Sequence, residues 1–267
     1  MKMSRFAALT SSLLLAAGAA LFGAGQAAAA TADFGYVAGG DSNPAGAGPG
    51  NTQRGRGKSQ RTPRAYPGVG APAHAPQTFS FAACSGARTG DVLSGQLSPL
   101  NSGTDLVSIT IGGNDAGFSD VMTTCVLQSE STCVSRVNQA KAYVDSTLPG
   151  QLDQVYDAIH GRAPGAHVVV LGYPRFYKLN GTCVTGLTEG ERTAINGAAD
   201  YLNAAIAKRA ANHGFTFASV AGAFTGHEIC SGDAWLHSVN WLNIGESYHP
   251  TAAGQSGGYL PVFTNAA

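Results

Sequence analysis

Apolar runs that end in small polar residues recur along the chain, and they set its predicted architecture. Tyr36-Val-Ala38 closes one such run before Gly39-Gly40-Asp41-Ser42. Thr78–Ala82 alternates polar and apolar before Cys84-Ser85-Gly86-Ala87, and the β-branched run Asp105–Ile111 enters Gly112-Gly113-Asn114-Asp115. Alternation of period two marks a half-buried strand, and a β-branched run such as Asp105–Ile111 marks a central strand covered on both faces. His167–Leu171 and Phe215–Val220 read as further strands.

Between these runs the period changes to that of a helix. Thr89 is an expected N-cap for a helix carrying Val92, Leu93, Leu97 and Leu100. The spacing from Ser135 to Ile159 is helical, with a break at Pro149. Thr188-x-x-Glu191 is a capping box opening a long helix through Ile195, Leu202, Ile206 and Ala210, stopped at Asn212-His-Gly214. Thr251 begins a last helix that Gly254, Gly257 and Gly258 should weaken. From Asn43 to Gln77 periodicity is poor, and an irregular surface segment with one short helical turn near Tyr66 is expected. Strands alternating with helices predict one domain, a three-layer α/β/α sandwich around a parallel sheet.

The first thirty residues stand apart. Lys2 and Arg5 precede an apolar stretch from Leu13 to Phe22, and Ala27-Ala28-Ala29-Ala30 supplies small residues for cleavage. This is the pattern of a secretory signal, so residues 31–267 are the expected mature domain, secreted and extracellular. No later stretch has the roughly 18 apolar residues of a membrane helix, and no integral membrane segment is expected.

Without the signal the charges are 14 basic against 16 acidic, which argues against a nucleic-acid partner. Five of the bases crowd into Arg54, Arg56, Lys58, Arg61 and Arg64, between Gly/Pro-rich segments that read as solvated loop. All five cysteines, Cys84, Cys125, Cys133, Cys183 and Cys230, lie in the exported part, where disulfides form and an odd count leaves one over. Their connectivity is open: Cys125 with Cys133 would close a short loop, Cys183 with Cys230 a long one. No cysteine or histidine spacing suggests a metal site.

In a parallel sheet the strand C-termini share one edge, so Ser42, Gly86 and Asn114 are candidate neighbours. Ester cleavage needs a nucleophile, a base and donors for the tetrahedral oxyanion. Ser42 can be the first and His249 the second. The N–H groups of Ser42 and Gly86 with the Asn114 amide can be the third, and a Cβ at Gly86 is expected to crowd the intermediate. Ser85 is a rival nucleophile but lacks the strand and Gly-Gly turn before it. Asn114 and Asp115 can be read as turn residues and Asp41 as a turn stabiliser. The other six histidines read as structural.

The order Gly40-Asp41-Ser42, Gly86, Gly113-Asn114-Asp115 and His249-Pro250 resembles the SGNH/GDSL hydrolase superfamily. Phe81–Ala87, Ile109–Phe118, Val170–Arg175 and Glu246–Thr251 narrow the resemblance to secreted actinobacterial GDSL lipases and esterases, including the phospholipase A1-like group. It covers nearly all of Tyr36 to Val262. It implies a flavodoxin-like SGNH hydrolase fold and a cofactor-free monomer that cleaves carboxylic esters of lipids through an acyl-enzyme on Ser42. A carbohydrate or small-ester acetylesterase, or an inactivated binding protein of the same fold, is the alternative.

Three departures matter. Asn43-Pro44-Ala45 replaces the usual aromatic and two serines. Lys58-Ser59-Gln60 occupies the region where close relatives place the cysteine that pairs with the equivalent of Cys84, which implies that Cys84 is unpaired here. Glu246 takes the place of the usual aspartate three residues before the histidine, so the Ser247 carbonyl is the expected orienter of His249 and Glu246 the secondary one.

Overall fold

Five strands, all parallel, lie in the order β2-β1-β3-β4-β5 in a computed structural model that describes residues 34–48, 59–181, 183, 186–242 and 244–267. They are β1 (Gly35–Gly40), β2 (Thr78–Phe81), β3 (Leu106–Thr110), β4 (His167–Leu171) and β5 (Thr216–Ala218). Registers such as Val37↔Val107 and Ile109↔Val170 put the longest apolar runs in the middle of the sheet. The expected signal at residues 1–30, and Arg54, Arg56 and Lys58, lie outside the described residues. Residues 33–267 form one compact unit.

Alternation along each strand feeds two cores. Val37, Val107, Ile109, Val168 and Val170 face α3 (Thr89–Gly95) and α6 (Leu148–Arg162). Tyr36, Ala38, Leu106, Val169 and Leu171 face the opposite layer, which holds α2 (Tyr66–His74), α4 (Phe118–Leu127) and α5 (Glu130–Ser146). The long α7 (Glu189–Asn212) and the terminal α8 (Leu260–Ala266) complete the layers. A strand buried on both sides by helices is the physical reason for its uninterrupted hydrophobic reading.

Pro149 separates α5 from α6 by sitting in the first turn of the second helix, where its missing N–H has no intrahelical partner to lose. The Thr188–Glu191 capping box opens α7 as expected. Three other elements differ from expectation. Thr89 is the first residue of α3 and not its N-cap; its hydroxyl donates to Asp115 Oδ1 at 2.6 Å instead. The turn near Tyr66 extends into the nine-residue α2, held by Tyr66 stacking on Tyr259 and by its N–H donating to Gln255 Oε1 at 2.9 Å. The glycines after Thr251 lie in a π-helix, Gly254–Tyr259, and make it close-packed: a Cβ at Gly258 would run into the Phe224 ring.

Disulfides join Cys125 to Cys133 and Cys183 to Cys230, and Cys84 is free. The Ser59 hydroxyl donates to Cys84 Sγ at 2.6 Å, in the region where the family resemblance implied a lost cysteine.

Candidate active site

β2, β1 and β3 are adjacent, and the loops leaving their C-terminal ends bring Gly86, Ser42 and Asn114 to one edge of the sheet. These residues, with Ser247 and His249, line a single cavity of about 440 Å³. That volume lies within the usual range for a small-molecule site.

Gly40 makes the first turn possible. Its φ is 112°, and a Cβ there would meet the Thr110 backbone, with the amide nitrogen at 2.8 Å. The buried Gln96 braces this glycine at both ends, accepting its N–H at 2.7 Å and donating to its carbonyl at 2.9 Å. Asp41 then caps the four-residue α1 (Ser42–Ala45) by accepting the Asn43 N–H at 2.9 Å. This leaves the Ser42 N–H unused. Among the described residues neither it nor the Gly86 N–H meets a backbone or side-chain acceptor. Pro44 falls inside α1 and costs no needed donor.

Gly86 has a φ of 77°, and a Cβ there would have no protein atom within 4 Å. Within the protein it is the left-handed backbone that requires a glycine here, and the space beside it is open. Asn114 is fixed by its Nδ2 donating to the Ala87 carbonyl at 3.1 Å, which leaves the second amide hydrogen unassigned. Asp115 is structural, its two oxygens accepting the Thr89 N–H at 3.1 Å each.

Asp41 and Tyr173 are buried together, with the Tyr173 hydroxyl donating to Asp41 Oδ2 and accepting the Gly113 N–H. Burial raises the Asp41 carboxyl to about 7, against the lowering effect of hydrogen bonds from Tyr173 and Asn43.

His249 sits at the base of a loop whose two legs are paired: His237 N–H donates to the His249 carbonyl at 3.0 Å, and Tyr248 N–H to the His237 carbonyl at 2.9 Å. Tyr248, with a φ of 66°, turns the chain sharply between Ser247 and His249. Such backbone outliers concentrate at functional sites. Burial draws the His249 imidazole from 6.5 down to about 4. The Ser247 backbone opposes that shift, nearby His237 adds to it, and the Glu246 and Gly245 backbones oppose it more weakly. His249 Nδ1 is buried with no hydrogen-bond partner among the described residues. The Glu246 carboxylate makes no hydrogen bond or ion pair among them either. Ser42 and His249 share the cavity without a direct hydrogen bond; catalytic pairs often tighten only with substrate bound.

Away from the polar end the cavity is apolar. Met122 and Val126 of α4, Val144 of α5, and Ile195, Ala199 and Leu202 of α7 form its walls. Among the described residues no group of three or more His, Cys, Asp or Glu side chains is placed to hold a metal ion. No helix among them is long and apolar enough to cross a membrane.

Gln96, Tyr173, His237 and Gln255 were not singled out from sequence. Gln255 is fully buried and donates from Nε2 to the Asn43 carbonyl at 2.9 Å, tying the π-helix Gly254–Tyr259 to the residue after Ser42. Only Tyr173 carried a signal, its place in the Gly-Tyr-Pro step that follows β4.

Residues 38–256 match the model of the GDSL-like Lipase/Acylhydrolase family. Lipase 1 of Streptomyces coelicolor is 66% identical over 269 residues, covering 100% of both chains. The crystal structure of phospholipase A1 from Streptomyces albidoflavus superposes with a TM-score of 0.86 at 68% identity, over 87% of this chain and 99% of that one. The extracellular lipase of Streptomyces rimosus gives a TM-score of 0.85 at 61% identity, over 88% of this chain and 100% of the other. The fold and the cavity define an α/β ester hydrolase. The chain belongs to the GDSL-like Lipase/Acylhydrolase family.

Proposed function

We propose that this protein is a secreted serine hydrolase of lipid carboxylic esters, with Ser42 as nucleophile and His249 as general base. His249 takes the Ser42 Oγ proton as the oxygen attacks the ester carbonyl carbon. The oxyanion lies between the N–H groups of Ser42 and Gly86 and the Asn114 amide, donors fixed before substrate arrives. Collapse expels the alcohol, which receives the proton from His249. Water, deprotonated by the same ring, then releases the acid from Ser42. The Ser247 carbonyl is the group we assign to orienting the imidazole, with Glu246 secondary.

The observation that carries this reading is the continuity of the polar cluster with an apolar cavity between α4, α5 and α7. An acetyl group would leave most of that cavity empty, whereas a fatty acyl chain buries its methylenes at about 0.8 kcal/mol each. The lipase and phospholipase A1 relatives support the same substrate class. Two disulfides and the signal-like first thirty residues support export.

The test pairs a fluorophosphonate probe with p-nitrophenyl esters of increasing chain length. Wild type should be labelled and should favour long chains, while Ser42→Ala should lose both labelling and turnover. Turnover of acetate alone would support the acetylesterase alternative, and labelling that survives in Ser42→Ala would remove Ser42 as nucleophile.

A further inference from the structure

The loop that carries His249 also carries the most exposed apolar side chains near the cavity. Leu242 is 100% exposed, Trp241 67% and Ile244 63%, and Leu127 at the end of α4 is 60% exposed. Scattered single apolar residues on a surface are ordinary, but a contiguous group needs an occupant. Here Trp241, Ile244 and Leu127 also line the cavity that Ser42 and His249 share, so the group forms part of the rim of that cavity. From Ser238 to Gly245 the sequence has no charged residue.

The loop is built to hold this tip out. Its base is closed by an antiparallel bridge between Leu236 and Pro250 and by the two backbone hydrogen bonds between His237 and the Tyr248–His249 pair. Higher up, the Asn240 N–H donates to Ser247 Oγ at 2.8 Å. The apolar tip is thus supported from below by polar contacts and has little of its own surface covered.

We propose that Trp241, Leu242, Ile244 and Leu127 form a docking surface for a lipid–water interface, which seats the cavity mouth against aggregated lipid. A protein partner or a second copy on this rim would cover the entrance through which substrate must pass. A lipid layer instead supplies substrate at that entrance. The indole suits the role, having an apolar body and one polar N–H. Because the tip is uncharged, binding should be driven by apolar burial and should respond weakly to salt. The inference rests on the lipid esterase reading, and the experiment separates the two.

Vesicles of diether phosphatidylcholine, which contain no carboxylic ester, report docking without hydrolysis. Wild type should co-sediment with them and show a blue shift of tryptophan emission. Leu242→Asp should partition at least about tenfold more weakly, the loss expected for one leucine side chain no longer buried. The same variant should hydrolyse dissolved p-nitrophenyl butyrate at the wild-type rate and ester-linked vesicles about tenfold more slowly. Wild type that ignores the vesicles, or Leu242→Asp that binds them equally well, overturns the docking surface while leaving the esterase reading intact. A wild-type dimer in sedimentation that Leu242→Asp disperses also overturns it, assigning the face to a second copy. Wild type that leaves dissolved butyrate untouched removes the esterase reading itself.

Discussion

The Tyr173 hydroxyl donates to Asp41 Oδ2 at 2.6 Å and accepts the Gly113 N–H at 2.9 Å. One phenol thereby locks the loop before Ser42 to the loop before Asn114. Tyr173→Phe leaves a buried carboxyl and a buried N–H without this partner, at a cost of about 1–3 kcal/mol. Stability in urea should fall by that amount. Because both loops carry groups proposed to act on the transition state, kcat should also fall, by about tenfold, with KM little changed. A variant that is less stable but has wild-type kcat would reduce Tyr173 to a packing role.

Asn114→Ala tests the side-chain donor. Loss of one such donor costs on the order of 10²–10³ in kcat. The hydrogen bond from Asn114 to the Ala87 carbonyl is only partly buried, so folding should be little affected. Thermal melting beside steady-state kinetics distinguishes the outcomes. Near-wild-type activity would make Asn114 a turn residue.

Glu246→Gln should lose about tenfold or less in kcat. A true triad acid is worth about 10⁴, and it must accept from the imidazole, whereas His249 Nδ1 meets no carboxylate among the described residues. His249→Ala should lose nearly all turnover. A drop of about 10³ or more for a folded Glu246→Gln enzyme would make Glu246 the third member after all.

The pH dependence has a definite sign. In the proposed mechanism the neutral imidazole is the base, and burial holds the His249 pKa near 4, so kcat/KM should be flat from about pH 8 to about pH 5 and fall as pH drops through about 4. In the unfolded chain the ring takes its proton near 6.5. Between 6.5 and about 4 the unfolded state binds more protons, and this histidine makes the fold less stable as pH is lowered. Asp41 has the opposite sign: raised from 3.8 to about 7, it makes the fold less stable as pH rises through that window. The difference between wild type and His249→Gln in urea melts across the range isolates the histidine. A kcat/KM inflection at or above 6.5 would contradict the buried, neutral ring.

Cys84 should be the one cysteine modified by a thiol reagent in the denatured, unreduced protein, as read by mass spectrometry. Its Sγ accepts the Ser59 hydroxyl, so Ser59→Cys should form a third disulfide without displacing either existing one. A closed loop of this length contributes about 3 kcal/mol, measurable as a rise in melting temperature that reductant abolishes. Three modified cysteines in wild type, or a single modified cysteine other than Cys84, would refute the pairing.

The strands and the three loop ends were legible because their signals are local. Alternation and β-branching marked the strands, and glycines before small polar residues marked the turns that expose Ser42 and Asn114. α2 was legible only as a turn near Tyr66. Its Pro- and Gly-rich sequence has no helical period, and its order comes from Tyr66 meeting Tyr259, Phe263 and Gln255. α4 was missed for a related reason: it is short, and Val121, Met122 and Cys125 bury into a core built by distant segments. Gln96 and Tyr173 escaped notice because their partners lie 56 and 132 residues away. A buried polar side chain gives no sign in sequence of which backbone group it will satisfy.

Gln255 reaches the carbonyl of Asn43 across 212 residues, and this separation has a consequence for the order in which the protein is made. A growing chain holds Ser42 early, yet its proposed base, His249, and the Gln255 that braces the residue after the serine come 207 or more residues later. Until residue 249 has emerged the serine lacks its proposed base, and until residue 255 it lacks the glutamine brace. A chain that stops before residue 249 holds the serine without its proposed base, and one nicked and parted between the two yields two pieces with no hydrolase in either. On the proposed mechanism the serine is therefore inert throughout the synthesis of residues 42–249, and a hydrolase exists only once the two distant segments have met.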